Sequence, residues 1–175
     1  PYSKAICYSG YRDGQSPETG EIPSYEQVKQ DLLILQEQCQ SLRLYASDSH
    51  SETVLAVIKN EGMPFDVMLG AYITAEVDNP ECPWGGVYPP EQLLSNKREN
   101  KTQILRLIEL TNAYASIVSS VSIGNEASVS WTDHMVTTDS LVRYARLLKN
   151  GVSQPVTFCE NYVPWLDKLR PLAEE

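Results

Sequence analysis

The chain has 175 residues, of which 42% are hydrophobic and 21% are charged, and this composition is typical of a folded globular domain. Its formal net charge of -9 and its pI near 4.7 oppose binding to the phosphates of nucleic acid or to anionic lipid. The sequence contains no run of about 18 apolar residues, so it predicts no membrane span.

Short apolar runs alternate with helical segments, which predicts parallel strands joined by crossover helices. The strands are expected at about residues 4–9, 41–46, 65–73, 116–123 and 155–159. The helices are expected from residue 24 onward, at about 51–60, 100–114 and 138–150, and in a last stretch up to residue 175. Ser24 with Gln27 forms a capping-box pattern, and Gly62 and Gly151 are expected to end their helices.

The predicted connection between the third strand and its helix, residues 74–99, is much longer than the usual two to six residues. Loops of this length are usually functional. Trp84 and Tyr88 lie in this loop, and Trp131 lies in the loop after the fourth strand. Aromatic rings at such positions can stack on the C–H faces of a sugar, or they can pack to hold the loops in place.

Two architectures fit five strand-helix units: an open doubly wound sheet, or an incomplete (β/α)8 barrel. A complete barrel needs eight units and typically about 250 residues. A doubly wound nucleotide-binding domain is disfavoured because Gly10, Gly14 and Gly20 lack the spacing of a phosphate-binding loop. The motifs at the strand ends therefore have to decide between the two.

The fourth predicted strand ends in Gly124-Asn125-Glu126. Alternation places Glu126 on the same face as small polar residues of the strand, at the carboxyl end where barrel enzymes hold their catalytic groups. Asn125 can donate its amide to a sugar hydroxyl or to a partner carboxylate. The local pattern alone is equally compatible with Glu126 as a surface loop residue.

The second predicted strand contains Leu42-Arg43-Leu44-Tyr45, in which Arg43 and Tyr45 point to one face and the leucines to the other. With the leucines packed against helices, Arg43 faces the barrel interior. A buried guanidinium needs a partner, and a catalytic carboxylate is an economical one. A structural ion pair is the alternative.

The motifs AICYSGYR at residues 5–12, LRLYASD at 42–48, VSIGNEA at 121–127 and PVTFCENY at 155–162 end four of the predicted strands. Their combination resembles the glycoside hydrolases of family 17, and the version here is more similar to bacterial members than to the compact plant enzymes. The resemblance covers essentially the whole chain. It implies that residues 1–175 are the amino-terminal part of one (β/α)8 TIM-barrel catalytic domain of a retaining β-1,3-glucanase or β-1,3-glucanosyltransferase.

The resemblance also implies residue roles. Glu126 would be the general acid/base, Asn125 a glycone contact, Arg43 and Tyr45 the second-strand pair, and Tyr8 a substrate-facing aromatic. The family's nucleophile is a Glu on the seventh strand, which is expected outside these residues. Among the carboxylates at strand ends in this chain, Glu160 is the best substitute for that nucleophile, but its parity along the strand favours a hydrogen-bonding role at the edge of the substrate site, where Asn161 is also expected.

A non-catalytic carbohydrate-binding or assembly subunit with a partial barrel is the competing interpretation. An incomplete barrel exposes sheet edges, so further sequence of the same protein, a second chain or a swapped dimer is expected to complete it. The isolated chain can therefore be inactive. The expected ligand is a β-glucan oligosaccharide or polysaccharide, which carries no charge.

The remaining polar residues predict no cofactor and no metal. Asp13, Glu18 and Glu21 make the first loop acidic, but their spacing matches no calcium motif. The four cysteines are expected to be free thiols, with Cys7 and Cys159 buried in strands. His50 and His134 are expected to be polar surface or helix-cap residues. The chain is expected to be a soluble domain, with cytoplasm or periplasm left open.

Overall fold

The computed structural model describes residues 4–175, which form one five-stranded parallel sheet with the strands in the order of the sequence. The strands are β1 (Ala5–Cys7), β2 (Ser41–Leu44), β3 (Asp66–Gly70), β4 (Val118–Asn125) and β5 (Val156–Cys159). A doubly wound sheet would reverse its strand order at a switch point, whereas a (β/α)8 barrel keeps sequential neighbours. The predicted α/β fold, a barrel segment of five units, is therefore confirmed.

Helices follow each strand. They are α1 (Tyr25–Leu35), α2 (Ser49–Glu61), α3 (Pro90–Ala113), α4 (Thr138–Gly151), α5 (Tyr162–Leu166) and α6 (Arg170–Ala173). Right-handed crossovers between sequential parallel strands place the connecting helices on one face of the sheet. No helix within residues 4–175 combines the length and apolar composition that crossing a bilayer requires.

The helix-covered face of the sheet, called here the outer face, is apolar. Leu44, Leu69 and Val121 stand in register on β2, β3 and β4, and each is at most 1% exposed. The opposite, inner face carries Arg43, Met68 and Ser120 in register on the same strands. These side chains are only half-buried. The core therefore lies between sheet and helices, and the inner face is open.

The helix termini follow local sequence signals. The Ser24 hydroxyl accepts a hydrogen bond from the Gln27 backbone N–H, and the Gln27 side chain completes the predicted capping box. Asp48 caps α2 by accepting from the Ser51 N–H at 2.8 Å, so this helix begins two residues earlier than predicted. Gly62 ends α2 in the left-handed conformation at φ 64°, as expected.

Helix α3 begins at Pro90, ten residues before the predicted start at residue 100. Its first two turns are mostly exposed, so they contain no apolar stripe that would signal a helix. Pro90 at the first helical position is compatible with the helix, because the missing N–H has no intrahelical acceptor there. The preceding loop is correspondingly shorter and spans residues 71–89.

Two other expectations are wrong. The last predicted helical stretch is divided into α5 and α6, because Pro171 at the start of α6 has no N–H to continue a helix from Asp167. Cys7 was expected to be buried, but it is exposed on the open inner face of the edge strand β1, and Cys159 is only half-buried. All four cysteines are free.

Candidate functional site

Glu126 directly follows β4 and lies at its carboxyl end. Its φ of 46° makes it the single non-glycine residue with positive φ within residues 4–175. This conformation costs an L-residue about 1–2 kcal/mol. Its N–H donates to the Cys159 carbonyl at 2.8 Å, and its side chain is exposed with no hydrogen-bond partner in the described chain. Strain of this kind is concentrated at functional sites.

Gly124 sets the path of the backbone into this turn. A Cβ added at Gly124 would lie 2.8 Å from Cδ1 of Ile73, closer than side-chain atoms normally approach. Ile73 is 2% exposed and belongs to the segment after β3, so it cannot easily move aside. The glycine therefore lets β4 and the third loop pack together just before Asn125.

Arg43 and Asn125 connect β2 with β4 across the inner face. Arg43 Nη2 donates to Asn125 Oδ1 at 2.6 Å, and the guanidinium carbon lies 4.5 Å from the centre of the Tyr45 ring. The inward direction of Arg43 is as predicted. Its expected carboxylate partner is not found: within residues 4–175 Arg43 forms no ion pair, and its buried Nε has no acceptor. The Glu126 side chain is exposed and forms no hydrogen bond with Arg43 in the described chain.

His134 holds the same turn from the opposite side. Its Nε2 lies 2.9 Å from the Asn125 carbonyl oxygen, which can only accept, so this nitrogen donates. Its Nδ1 lies 2.7 Å from the Asp133 carboxylate and 3.1 Å from the Thr132 hydroxyl. His134 is therefore not a simple surface residue as expected from the sequence, and it fixes the backbone next to Glu126.

Glu160 stabilises the loop that follows Glu126. Its Oε2 accepts from the Ser128 N–H at 2.8 Å and from the Ser128 hydroxyl at 2.7 Å, while Oε1 accepts from the Asn161 N–H at 2.8 Å. Asn161 in turn caps α5 by accepting from the Val163 N–H. Both predicted site-edge residues thus make local structural contacts beside the Glu126 turn.

The loop aromatics divide into two kinds. Tyr88 is a structural contact, since its hydroxyl donates to the Asp133 carbonyl at 2.7 Å and joins the third loop to the fourth. Asn79 reinforces the junction by donating to the carbonyls of Ser130 and Thr132. Trp84 and Trp131 are instead 67% and 42% exposed. These two rings are available for stacking at the rim.

A half-buried carboxylate for which the sequence gives no signal, that of Glu76, also organises the rim. Glu76 accepts hydrogen bonds from Asn100 on α3 and from Ser140 and Tyr144 on α4. Burial first, and the Glu76 bond second, raise the pKa of the Tyr144 hydroxyl, which keeps it a donor at neutral pH. No sequence motif predicts this network, because the residues that bind Glu76 lie 24 to 68 residues away from it in the sequence.

Tyr8 is 7% exposed and donates its hydroxyl to Asp31 at 2.8 Å. Arg12 forms an ion pair with the same carboxylate at 2.6 Å. Burial and the Asp31 hydrogen bond raise the pKa of Tyr8. The Tyr8 hydroxyl is thus bonded to α1, and Tyr8 also lines the neighbouring cleft.

That neighbouring cleft has a volume of about 750 Å³ and lies over the carboxyl ends of β1, β2 and β3. We call it the tyrosine cleft, because Tyr8, Tyr11, Tyr45 and Tyr72 line it together with His50. Tyr45 also contacts Arg43, and the Tyr72 ring lies 5.9 Å from the His134 ring. The cleft and the Glu126 turn are therefore adjoining parts of one rim.

His50 is the least expected residue of the cleft. It is 4% exposed, and neither ring nitrogen has a hydrogen-bond partner in the described chain, so its expected surface position is wrong. The Tyr11 and Tyr8 rings lie 4.9 and 5.8 Å away. Burial lowers the pKa of His50, and the opposing charges of Asp48 and Asp31 do not reverse this shift. Each unsatisfied buried polar group costs about 1–3 kcal/mol.

Residues 4–175 contain no group of three or more His, Cys, Asp and Glu side chains placed to hold a metal ion. The rim presents a solvent-accessible carboxyl group, that of Glu126. Glu126 can give or take a proton, and Asn125 and Arg43 beside it can hold polar groups of a ligand. The exposed indoles can bind apolar faces.

Comparison with known proteins extends only to the fold. No protein-family model matches the chain, and no curated protein matches its sequence. Among solved structures, the chain is similar to the glycoside hydrolase family 17 β-1,3-glucanosyltransferase from Rhizomucor miehei, with a TM-score of 0.63. The two are 18% identical, and the match covers 94% of this chain and 52% of that one. The chain thus spans about half the length of that enzyme.

Proposed function

We propose that the chain belongs to a carbohydrate-active enzyme that cleaves or transfers β-1,3-glucan, with Glu126 as the general acid/base. The observation that carries the proposal is the Glu126 turn. A strained residue follows the fourth parallel strand, and the Arg43–Asn125 hydrogen bond of 2.6 Å lies directly before it. A barrel offers its catalytic groups at this end of its strands.

The strain at Glu126 supports a functional role rather than a structural one. Gly or Asn would adopt the turn at lower cost, and the Glu side chain forms no hydrogen bond in the described chain that would compensate. The exposed carboxyl group is therefore available to a ligand. The fold likeness to a β-1,3-glucanosyltransferase supports a glucan as this ligand.

The proposed reaction is a double displacement. Glu126 first gives its proton to the glycosidic oxygen while a second carboxylate attacks the anomeric carbon, so the leaving sugar departs as an alcohol and a glycosyl ester forms. Glu126 then takes a proton from water or from a sugar hydroxyl while the oxygen of that group attacks the anomeric carbon, and the second carboxylate leaves. Water gives hydrolysis and a sugar gives transfer. Asn125 and Arg43 would hold hydroxyl groups of the reacting sugar.

The second carboxylate of a retaining site stands about 5–5.5 Å from the acid/base. Glu160 is a poor candidate, because both of its oxygens accept hydrogen bonds from Ser128 and Asn161. We therefore assign the nucleophile to strands that complete the barrel and are not contributed by residues 4–175. These strands would also cover the half-buried inner face around Met68 and Ser120.

The test is turnover of laminari-oligosaccharides by the complete protein and by its Glu126→Gln variant. General acid/base catalysis contributes about 10²- to 10⁴-fold, so we expect a loss in this range with an unchanged melting temperature. Glu37→Gln is the matched control, because Glu37 is also exposed but precedes β2 at the opposite end of the sheet. Equal turnover by the Glu126 and Glu37 variants would reject the assignment.

A second candidate function is sugar binding without catalysis, as a binding or assembly subunit. The hydrogen bonds that occupy Glu160 favour it, since they leave Glu126 without a catalytic partner in the described chain. Under this alternative the wild-type protein and Glu126→Gln bind laminari-oligosaccharides alike, and neither releases products. The same turnover experiment therefore separates the two functions.

A further inference from the structure

The tyrosine cleft contains a buried polar side chain to which no described residue forms a hydrogen bond. His50 is 4% exposed, and both of its ring nitrogens lack a hydrogen-bond partner among the described residues. The position is not forced by the helix, because Asp48 rather than His50 caps α2. Buried polar groups in folded proteins are nearly always hydrogen-bonded, so both ring nitrogens of His50 require partners from outside the described residues.

The charges around the cleft define which ligand fits. Its lining contains the carboxylates of Glu18, Asp48 and Glu99 and, among the described residues, no Lys or Arg. An anionic ligand would therefore be repelled. His50 does not offset this field, since burial disfavours its charged form. The neutral imidazole offers one donor and one acceptor, which matches a hydroxyl group.

The shape and the aromatic lining also fit a sugar. The rings of Tyr11, Tyr45 and Tyr72 border a volume of about 750 Å³, which is within the range of ligand pockets and exceeds a single pyranose. Tyrosine rings pack against C–H faces and keep a hydroxyl for hydrogen bonding. Tyr45 joins the cleft to Arg43, which in turn binds Asn125 next to Glu126.

We propose that the tyrosine cleft binds an uncharged sugar unit of the glucan away from the scissile bond, with His50 as the hydrogen-bonding residue that selects it. This inference rests on the proposed function for the identity of the glucan. The Tyr11 ring lies 4.9 Å from the imidazole and is partly exposed, so we expect it to move aside when a sugar hydroxyl binds His50.

The chain has two histidines, and they report on the two parts of the rim separately. His50 lies in the cleft, and His134 contacts the backbone next to Glu126. We expect a titration with laminaritetraose, followed by NMR of the imidazole Cε1–Hε1 groups, to shift and saturate the His50 resonance together with that of His134.

The other outcomes are distinct. A shift of His134 alone would overturn the cleft proposal and leave the proposed function intact. A shift of His50 alone would support the cleft as a sugar site and count against Glu126 as the catalytic centre. If neither resonance moves at millimolar laminaritetraose, both proposals fail.

Variants provide the second measurement. We expect His50→Phe, which fills the same space without hydrogen bonds, to weaken laminaritetraose binding about tenfold, the effect of one lost hydrogen bond. His50→Gln keeps a donor and an acceptor and should bind within about threefold of wild type. A sulfated laminari-oligosaccharide, which is anionic, should bind more weakly than the neutral one. Equal affinity of the Phe and Gln variants, or tighter binding of the sulfated sugar, would refute the role of His50.

Discussion

The outer and inner faces of the sheet differ in how deeply their side chains are buried. On the outer face Leu44, Leu69 and Val121 are at most 1% exposed and pack against the helices. On the inner face Arg43, Met68 and Ser120 occupy neighbouring positions and remain half-buried. The outer face therefore accounts for most of the hydrophobic stabilisation, and the inner face with its rim is available for binding and chemistry.

The difference shows why a small change has different consequences on the two faces. Removing atoms from the outer face leaves a cavity in a closely packed core. Removing atoms from the inner face leaves groups that solvent can reach, so stability changes little and function changes more. The predictions below test this separation, and those that concern activity assume the proposed function.

The largest effect on stability is expected for Leu69→Ala on the outer face. Leu69 is fully buried, and truncation of such a leucine costs about 2–5 kcal/mol. We expect the free energy of unfolding, measured by urea denaturation, to decrease by about 3 kcal/mol. The control is Leu105→Ala on α3, where the side chain is 48% exposed and the expected change is below about 0.5 kcal/mol. Similar losses for both variants would show that the outer face is not the main core.

The next effect concerns Arg43→Met on the inner face. The change removes the bond to Asn125 and the contact with Tyr45, and it also removes an unsatisfied Nε. We expect kcat/KM on laminari-oligosaccharides to fall about 10- to 100-fold, a loss of about 1.4–2.7 kcal/mol, with little change in stability.

Arg106→Met is the control for this prediction. Arg106 forms ion pairs with Glu52 and Glu109 on the helical surface, and loss of such exposed pairs costs about 0–1 kcal/mol. We expect the Arg106→Met variant to keep the wild-type kcat/KM on laminari-oligosaccharides. Full activity of Arg43→Met would remove Arg43 and its contact with Asn125 from the site.

The lowered pKa of His50 makes the stability of the folded chain depend on pH. Because burial lowers the pKa of His50 in the folded state, the unfolded chain binds a proton first as the pH falls through the ordinary value of about 6.5. Stability should therefore decrease from pH 7 toward the pKa of the folded state, by less than the limit of about 1.4 kcal/mol per pH unit for one proton.

His50→Phe removes this titration. The melting temperature of the variant should fall less between pH 7.5 and pH 5.5 than that of wild type. Parallel curves for the two proteins would mean that His50 is protonated as easily in the folded chain as in the unfolded one.

The smallest effects distinguish two serines of β4. Ser120 is half-buried on the inner face, and we expect Ser120→Ala to change stability by less than about 0.5 kcal/mol. Ser122 is 2% exposed and donates to the Gly124 carbonyl at 2.8 Å, so Ser122→Ala should cost about 1 kcal/mol. Thermal unfolding of the two variants would measure the difference, and a reversed order would contradict the described burial along β4.

Local sequence patterns were sufficient to predict the alternation of five strands with helices, the capping box at Ser24, the end of α2 at Gly62 and the inward direction of Arg43. These features depend on local periodicity and on contacts between near neighbours in the chain. The start of α3 at Pro90 was not predicted, because the first turns of this helix are exposed to solvent and contain no apolar pattern.

The folded structure was needed to establish the strand order, which confirms the barrel segment implied by the motif resemblance over the doubly wound sheet. It also decided the partners of the polar groups: Asn125 for Arg43, Ser128 for Glu160, and none in the described chain for His50. Arg43 and Asn125 are 82 residues apart. Contacts over such separations depend on how strands and loops pack, which no local pattern in a single sequence encodes.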